Sequence, residues 1–380
     1  MTEDVSAAQI LSEVAPHELP SRILREAQRA AGAPVGVYVI DIDGSCLLLL
    51  SGGGDGFPES VAISGAVGPE LPLGRVGDVA VALATELPGA QLVPMQLRDR
   101  ALGFFVTRAA INSELTAIAR EAALALELIS GYTDAVHATR RHRRIDPAAE
   151  IQQNLLPPRL ARVPGGSLAG GVLPGYDVGG DFVDYACNED ALWLAIGDGV
   201  GKGNEAAGLA SLTVGALRAA RRSDADLKHA IAIMHQTIYD SGRDRTQFVT
   251  AIVARWDDQT GVLEWINCGH PHPLIISADG ECTELSGATT FPLGLFVRER
   301  RLSVATHRLA RGDRLLLYSD GISERRSVDG VPLGIETIVA TMRATSGAAD
   351  TVRALQNTVN DASPRPLRDD ATLLVLALDR

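Results

Sequence analysis

Cysteine is scarce in this sequence, and the cysteines that occur are isolated. There are four in 380 residues, and none forms a CxxC pair or another metal-ligand spacing: Cys46, Cys187, Cys268 and Cys282. This argues against a disulfide-stabilised secreted scaffold and against a cysteine-ligated zinc site. The pattern is typical of a reducing compartment, and we expect a cytoplasmic location.

Long apolar runs and an excess of positive charge are also missing. No run approaches the roughly 18 residues that a membrane-spanning helix needs, and Met1 to Asp4 lack the basic and apolar stretches of a signal peptide. With 35 basic and 47 acidic residues, the formal net charge is -12. Such a charge disfavours a broad surface for nucleic acid or an anionic membrane, so we expect neither as a partner.

The composition is that of an ordinary globular protein, with 46% hydrophobic and 22% charged residues. The amino-terminal part predicts a helix over 20–32, a hairpin over 37–50, a helix near 79–87 and a second hairpin over 91–107. This order, closed by Leu102-Gly103-Phe104-Phe105-Val106 and a long exit helix, resembles a GAF-type sensor. We therefore assign residues 1–110 to a GAF-like α/β sensor domain that takes a small-molecule or protein input.

Residues 111–162 predict a helical linker. From Ile111 to Arg144 there is no proline, and apolar residues recur at alternating steps of three and four: Leu115, Ile118, Ala122, Ala125, Ile129, Tyr132 and Val136. This seam favours a parallel coiled coil between two subunits, hence a homodimer. The alternative is one long helix packed on its own domain. Asp146-Pro147 then predicts the start of a second helix, which ends before Pro157. This helix carries Ile151 and Leu155 and follows the sensor domain in the chain, and we expect it to be the switch helix.

From about Ser167 the pattern predicts regular strands with helices in pairs between them. The expected strands are 167–173, 182–185, 191–196, 248–256, 262–267, 273–276, 314–318 and 372–378, and the expected helices are 206–221, 225–239, 335–342 and 351–359. Antiparallel strands with paired helices are typical of an α+β sandwich, in which helices cover two sheets. We assign this domain to residues 163–380.

Four aspartates stand at the edges of these strands beside small residues: Asp181, Asp198, Asp320 and Asp369. Hard divalent cations such as Mg²⁺ and Mn²⁺ take oxygen ligands. Two such ions can share a carboxylate, acidify a bridging water and clamp a phosphoryl group. Each Asp-Gly pair taken alone is foremost a turn signal, so the prediction of a metal site depends on the four occurring together.

The stretches around these aspartates resemble the successive motifs of SpoIIE/RsbU-type metal-dependent Ser/Thr protein phosphatases, of the PPM superfamily. The matching stretches are Ile151-Gln152-Gln153-Asn154-Leu155-Leu156-Pro157, Val178-Gly179-Gly180-Asp181-Phe182-Val183-Asp184, Gly197-Asp198-Gly199-Val200-Gly201-Lys202-Gly203, Asn267-Cys268-Gly269-His270, Tyr318-Ser319-Asp320-Gly321-Ile322-Ser323-Glu324 and Asp369-Asp370-Ala371-Thr372. The resemblance implies an αββα sandwich with two Mn²⁺ or Mg²⁺ ions at one end.

The resemblance also implies a role for each matching residue. Asp198 is expected to bridge both ions, and the Gly199 carbonyl to bind one. Asp320 and Asp369 are expected at the second ion, and Asp181 at the first, directly or through water. The ions would activate a water for direct attack on phosphoserine or phosphothreonine.

Neighbouring residues receive lesser roles. Asp370 is expected as an outer partner of the ligands, and Asp184 as a structural residue or as another outer partner. The turn ending at His270 is expected to be a folding feature. Relatives place Ser-Gly-His where this chain has Val200-Gly201-Lys202, and Lys202 is expected to be a solvated loop residue rather than a phosphate contact.

The function implied is dephosphorylation of a STAS-type anti-sigma factor antagonist in bacterial partner-switching signalling. The alternative is a catalytically degenerate module that binds a phosphoprotein without turnover, although the full set of aspartates speaks against it. A nucleotide phosphodiesterase ranks last, because it would need base-stacking groups and aromatic residues make up only 4% of the chain.

Overall fold

The structure is a computed structural model, and it describes residues 14–52, 56–174, 179–241, 246–295 and 302–380. Met1 to Asp4 and Val178, which the sequence analysis used, lie outside the described residues. The chain divides into two compact units, the first ending at Arg144 and the second beginning at Ile145. No helix within the described ranges is long and apolar enough to cross a bilayer.

The first unit is built on one six-stranded antiparallel sheet. Its strands follow the order β3-β2-β1-β6-β4, and β5 also pairs with β6. The strands are β1 Val35–Ile40, β2 Cys46–Ser51, β3 Ser60–Ala62, β4 Leu71–Pro72, β5 Gln91–Leu97 and β6 Arg100–Thr107. The helices are α1 Leu19–Ala31, α2 Val76–Glu86, α3 Ser113–Ile129 and α4 Ala135–Thr139, with 3-10 turns at Pro16–Glu18 and Leu73–Arg75. The predicted first two helices and both hairpins are confirmed.

The exit helix is shorter than the sequence predicts. Asn112 caps α3, since its side chain accepts a hydrogen bond from the Leu115 N–H at 2.8 Å. The helix ends at Ile129, and a turn containing Gly131 separates it from α4. The prediction of an unbroken helix to Arg144 is therefore wrong, because glycine is a poor helix former and, among the described residues, no atom lies within 4 Å of the position that a Cβ at Gly131 would occupy.

The apolar seam of α3 faces its own unit. Leu115, Ile118 and Ala122 are buried in a core that also contains Leu19 and Ile23 of α1. This is the packing that the alternative prediction describes. A homodimer formed through residues 111–144 stays a prediction.

The second unit contains two antiparallel sheets and, in its described residues, six helices. One sheet has the order β15-β12-β11-β10-β9, and the other β14-β13-β16-β17-β8-β7. The strands are β7 Leu160–Val163, β8 Gly166–Leu173, β9 Asp181–Cys187, β10 Leu192–Gly199, β11 Val249–Trp256, β12 Val262–Cys268, β13 Leu274–Ile276, β14 Cys282–Glu284, β15 Ala305–Arg308, β16 Arg314–Tyr318 and β17 Ala371–Leu378. The helices are α5 Pro147–Leu155, α6 Asn204–Arg222, α7 Leu227–Ser241, α8 Asp320–Ser323, α9 Gly334–Arg343 and α10 Ala348–Asp361.

The two sheets of the second unit pack face to face, and helices cover their outer faces. Leu194 and Ile252 of the first sheet share a core with Leu317 and Leu374 of the second. Helices α6 and α7 cover the first sheet, and α10 packs on β8 and β17 of the second. The predicted αββα sandwich is confirmed.

Strand β10 carries the central acidic loop, and both of its faces are buried. Trp193 and Ala195 lie in the core under α6 and α7, whereas Leu194 and Ile196 lie between the sheets. A strand covered on both faces is apolar throughout rather than alternating. The run then ends in Asp198 at the rim of the sandwich.

Asp184 joins three elements of this unit. Its buried carboxylate, on β9, pairs with Arg218 at 2.8 Å and with Arg221 at 2.7 Å, both on α6. Arg218 also donates to the Leu155 carbonyl at the end of α5, at 2.8 Å. These contacts support the expected structural role of Asp184. The Asp184 carboxylate holds α6 against β9, and Arg218 of α6 in turn holds α5.

We predict that Asp184→Ala strongly destabilises the chain. Removing the carboxylate leaves the guanidinium of Arg221, which is 8% exposed, without its partner. Breaking a buried pair in this way costs about 3–5 kcal/mol, measurable as a fall in the free energy of unfolding in urea. Asp190→Ala is the control, because it removes an exposed partner of Arg255 and should cost about 0–1 kcal/mol. Equal losses from the two variants would contradict the assignment.

Candidate metal centre

Asp181 and Asp198 lie opposite each other on neighbouring strands. Asp181 is the first residue of β9, and its register partner on β10 is Asp198. The Gly199 N–H donates to the Gly180 carbonyl at 3.0 Å and holds the two strand ends together. Like charges directly across a strand pair repel. The fold therefore places two carboxylates where they oppose each other unless a proton or a cation intervenes.

Asp320 and Asp369 come from the second sheet. Asp320 starts α8 directly after β16, and Asp369 precedes β17, the strand that pairs with β16. Ser319 fixes this junction: its N–H donates to the Thr372 carbonyl at 3.0 Å, and its hydroxyl accepts from the Thr372 N–H at 3.0 Å. Both aspartates reach solvent. The second sheet thus contributes its two carboxylates through one strand pair.

Gly321 allows this junction to close. A Cβ atom at Gly321 would lie 1.9 Å from the Asp370 carbonyl oxygen. Any side chain there would separate the start of α8 from the strand that carries Asp369 and Asp370. The Asp-Gly pair, which the sequence analysis treated first as a turn signal, has a packing function here.

The carboxylates from the two sheets act on one another electrostatically. Burial, together with the charges of Asp320, Asp369 and Asp370, raises the pKa of Asp198 to about 7. Deep burial also raises the pKa of Asp181 well above its usual range, and Asp198 and Asp370 add to the effect. Partial loss of hydration and the neighbouring carboxylates of Glu324 and Asp369 raise the pKa of Asp320. The four predicted aspartates therefore form one acidic cluster.

Asp370 is the buried partner of this cluster. One of its oxygens accepts hydrogen bonds from the Gly180 N–H at 3.0 Å and the Asp181 N–H at 3.2 Å. Burial nevertheless raises the pKa of Asp370 to about 6. It contacts the backbone of Asp181, which is the position that the sequence analysis expects for an outer partner.

Gln152 also belongs to the site, although the sequence analysis gave it no role. It lies on α5, is 1% exposed, and donates from Nε2 to the Asp370 carboxylate at 2.6 Å and to the Asp181 carbonyl at 3.0 Å. The α5 helix is itself fixed by Asp146, whose side chain accepts from the Ala148 N–H at 2.9 Å. The sequence signal that could have identified Gln152 is a polar residue on the buried face of a short amphipathic helix.

Two loop residues of the motifs lie near the cluster. Lys202 is exposed, as expected, but its ammonium group donates to the Arg368 carbonyl, so it ties the loop after β10 to the loop before β17. His270 is buried, and its backbone N–H donates to the Asn267 side-chain oxygen at 2.8 Å. Burial lowers the pKa of His270 to about 3, so the imidazole is neutral, as suits a folding role.

The cluster has the donor set that a hard divalent cation requires. All of its side-chain donors are carboxylate oxygens. Asp181 Oδ2 and Asp370 Oδ1 are buried without a hydrogen-bond partner, which is costly unless another group satisfies them. The raised pKa values mean that protons compensate the repulsion in the absence of a cation. The residues therefore fit divalent metal ions.

A tighter group of potential ligands occurs in the first unit. Asp41, Cys46 and His142 have ligand atoms within 4.8 Å of one another, and among the described residues no other group of three is that close. The Asp41 carboxylate already accepts from the N–H groups of Ser45 at 2.7 Å and Cys46 at 3.0 Å. A hairpin turn thus accounts for this group without a metal ion.

Comparison with known proteins connects the second unit to one family. The family model of stage II sporulation protein E (SpoIIE) matches residues 188–379. Phosphoserine phosphatase RsbU of Bacillus subtilis is 22% identical over 234 residues, which cover 61% of this chain and 69% of RsbU.

Two of the solved structures that resemble the chain illustrate the similarity. The RsbU and RsbW domains of Rv1364c from Mycobacterium tuberculosis are 26% identical, with a TM-score of 0.50, over 57% of this chain and 62% of that one. The SiaA-PP2C domain of Pseudomonas aeruginosa has a TM-score of 0.52 and 21% identity over 61% of this chain and 94% of that one. The latter similarity concerns the fold alone, and it agrees with the αββα sandwich described above.

We predict that the metal-free chain loses stability as the pH rises from about 4 to about 7. The folded-state pKa values of Asp198 and Asp370, about 7 and about 6, lie above the unfolded value, so their contribution is full below roughly pH 4 and is lost through this range. In chelator at pH 8, Asp198→Asn should raise the melting temperature by about 2–4 °C for each kcal/mol of repulsion removed. Adding Mn²⁺ should stabilise the wild-type chain far more than the variant.

The control for this experiment is Asp361→Asn, which neutralises an exposed aspartate at the end of α10. It should keep the wild-type dependence on pH and on Mn²⁺. Melting curves of wild type and Asp198→Asn that coincide at every pH would contradict the repulsion.

Proposed function

The chain belongs to the SpoIIE family of protein phosphatases, and from this premise we propose that it hydrolyses phosphoserine or phosphothreonine in a protein substrate with two Mn²⁺ or Mg²⁺ ions. One observation carries the proposal. Asp181 and Asp198 from one sheet and Asp320 and Asp369 from the other form a single acidic cluster at one end of the sandwich.

The proposed ligand assignment follows the position of each residue. Asp198 interacts with carboxylates of both sheets, so it would bind both ions, and the Gly199 carbonyl would bind one. Asp320 and Asp369 would hold the second ion, and Asp181 the first, directly or through water. When bound, the ions supply a water acidified for attack on phosphorus and positive charge for the phosphoryl oxygens.

The other side chains prepare this arrangement. Asp370 accepts from the N–H of Asp181 and fixes its backbone, and Gln152 in turn fixes Asp370. Asp198 and Asp370 must release their protons for cations to bind, so metal affinity should rise with pH through about 6 to 7. These residues would bind the ions and orient the ligand side chains. The proposed reaction needs no covalent intermediate on the protein.

The proposed substrate is a serine-phosphorylated STAS-type anti-sigma factor antagonist, within partner-switching control of a sigma factor. Similarity to phosphoserine phosphatase RsbU and to the RsbU domain of Rv1364c supports this choice. A degenerate module that only binds a phosphoprotein is not favoured, because loss of chemistry usually removes a ligand and every expected carboxylate is present.

The first unit is proposed to be a GAF-like sensor whose input sets the activity of the phosphatase, in a homodimeric cytoplasmic protein. Helix α5 follows the first unit directly in the chain, and it carries Gln152 into the metal centre. A small shift of α5 would therefore move a hydrogen-bond donor of Asp370. This contact supports α5 as the switch, and it refines the earlier expectation that Ile151 and Leu155 mark the switch helix.

The proposed activity predicts metal-dependent release of phosphate from a serine-phosphorylated STAS protein and, more slowly, from an aryl phosphate. Both reactions should need Mn²⁺ or Mg²⁺ and should vanish in Asp198→Asn, since no neutral side chain can replace a carboxylate shared by two ions. Binding of the phosphoprotein without turnover, with the metal shown to be bound, would instead support the degenerate module.

The proposed switch predicts that Gln152→Met weakens metal binding. Methionine fills the volume but donates neither hydrogen bond, and a hydrogen bond to a charged group contributes about 1.5–3 kcal/mol. The apparent Mn²⁺ affinity, measured by titration calorimetry, should fall by roughly tenfold or more.

Gln153→Met serves as the matched control on the same helix, because the Gln153 side chain accepts a hydrogen bond from Arg159 at 2.7 Å. In addition, residues 145–380 should differ in turnover rate from the full chain. The switch would be contradicted if Gln152→Met kept wild-type affinity and both chains had the same rate.

A further inference from the structure

A pocket opens beside the metal centre, on the side of the second sheet. Its volume is about 310 Å³, and its wall includes Asp320 and Asp369. The rest of the wall comes from two loops, 324–330 after α8 and 363–368 before β17. A group bound in this pocket would therefore lie next to the reacting phosphate.

Arg325 fixes the shape of the pocket. Its guanidinium donates to four backbone carbonyls: Val359 at 3.1 Å, Ser363 at 2.7 Å, Arg365 at 2.7 Å and Pro366 at 3.3 Å. One side chain thus folds the 363–368 loop around itself. Lys202 holds the Arg368 carbonyl at the other end of the loop. These hydrogen bonds preorganise the wall of the pocket for a substrate.

Positive charge is concentrated on this wall. Arg326, Arg365 and Arg368 line the pocket, and all three are exposed. Apart from the two proposed metal ligands, Glu324 is the one carboxylate among the lining residues. The chain as a whole carries a net charge of -12, so the charge of this wall is opposite in sign to the net charge of the protein.

We propose that this pocket binds acidic residues that flank the phosphoserine of the protein substrate, and that Arg326 and Arg365 determine this preference. The inference rests on the proposed phosphatase activity. A chain of net charge -12 repels a phosphorylated acidic segment at long range, and a local basic wall offsets that repulsion where the segment must dock. Guanidinium groups also match carboxylates in a two-pronged geometry.

The neighbouring contacts distinguish this role from a grip on the phosphate itself. The Arg325 side chain is committed to backbone carbonyls, and Arg326 uses one N–H group to donate to the Gly330 carbonyl at 2.8 Å, within the 324–330 loop. Arg326 keeps further N–H donors for a ligand, and it lies exposed on the pocket wall together with Arg365 and Arg368. They fit groups on either side of the phosphate along an extended peptide.

The test uses the full chain with Mn²⁺ and phosphoserine peptides that are identical except for flanking Glu, Gln or Lys residues. The expected order of kcat/KM is Glu above Gln above Lys, with differences that shrink at high salt. Arg365→Glu and Arg326→Glu should each lower the ratio of kcat/KM for the Glu peptide to that for the Gln peptide by at least about fivefold. Arg365→Lys should preserve only part of the ratio, because it keeps the charge but not the two-pronged geometry.

Arg222→Glu is the matched control, because it makes the same charge change at the end of α6, away from the pocket. It should leave the ratio unchanged. A second readout is the binding of an unphosphorylated Glu peptide, followed by fluorescence anisotropy. This readout does not depend on turnover, so it tests the pocket even if the proposed phosphatase activity fails.

Two results would overturn the proposal. One is equal kcat/KM for the Glu and Lys peptides together with no binding of the unphosphorylated Glu peptide. The other is a loss in Arg365→Glu that is the same for all three peptides and for an aryl phosphate, since this would assign the arginine to the phosphoryl group.

Discussion

Repulsion among carboxylates at the ends of paired strands is the constraint on which the second unit depends. Two sheets pack face to face over an apolar core, and each brings aspartates to the same rim. In water such charges would be solvated, but here burial raises the pKa values of Asp181, Asp198 and Asp370. The fold holds these carboxylates close together. Bound protons reduce their repulsion at low pH, and bound divalent cations would reduce it at neutral pH.

The same constraint makes the metal centre sensitive to its surroundings. Asp370 is held by the N–H groups of Gly180 and Asp181 and by Gln152. The first two donors lie at the start of β9, which pairs with β10. The third belongs to α5, a nine-residue helix that packs on α6 and β9. A donor from a helix beside two donors from a strand end supports the proposal that α5 is the switch, because a shift of α5 would change the energetics of the Asp370 carboxylate without rebuilding the sheet.

The sandwich could be predicted from the sequence because its central strands have clear signals. The runs 191–196 and 373–378 are apolar throughout, and they lie just before Gly197-Asp198-Gly199 and just after Asp369-Asp370-Ala371-Thr372, so their order and ends were identifiable. Short edge strands such as β14 and β15 were missed, since three or four half-exposed residues leave no pattern. The exit helix was overextended, because an alternating apolar seam does not reveal where a turn interrupts it.

The acidic residues of the candidate site were also accessible from sequence, whereas their supporting contacts were not. An aspartate at a strand end is visible in the chain itself. The roles of Gln152 and Arg325 depend on residues more than 25 positions away, namely Asp181 and Asp370 for the first and four carbonyls for the second. Such contacts follow from tertiary packing, which brings α5 under the strand ends and folds the 363–368 loop around one guanidinium.

The central claim is that the strand-end aspartates hold a pair of divalent cations. The most direct measurement is a crystal structure of the full chain grown with Mn²⁺, with anomalous difference density recorded at the manganese edge. The account predicts two manganese peaks, both adjacent to Asp198, one towards Asp181 and the other towards Asp320 and Asp369. Manganese bound elsewhere, or no anomalous peak at this rim, would contradict it.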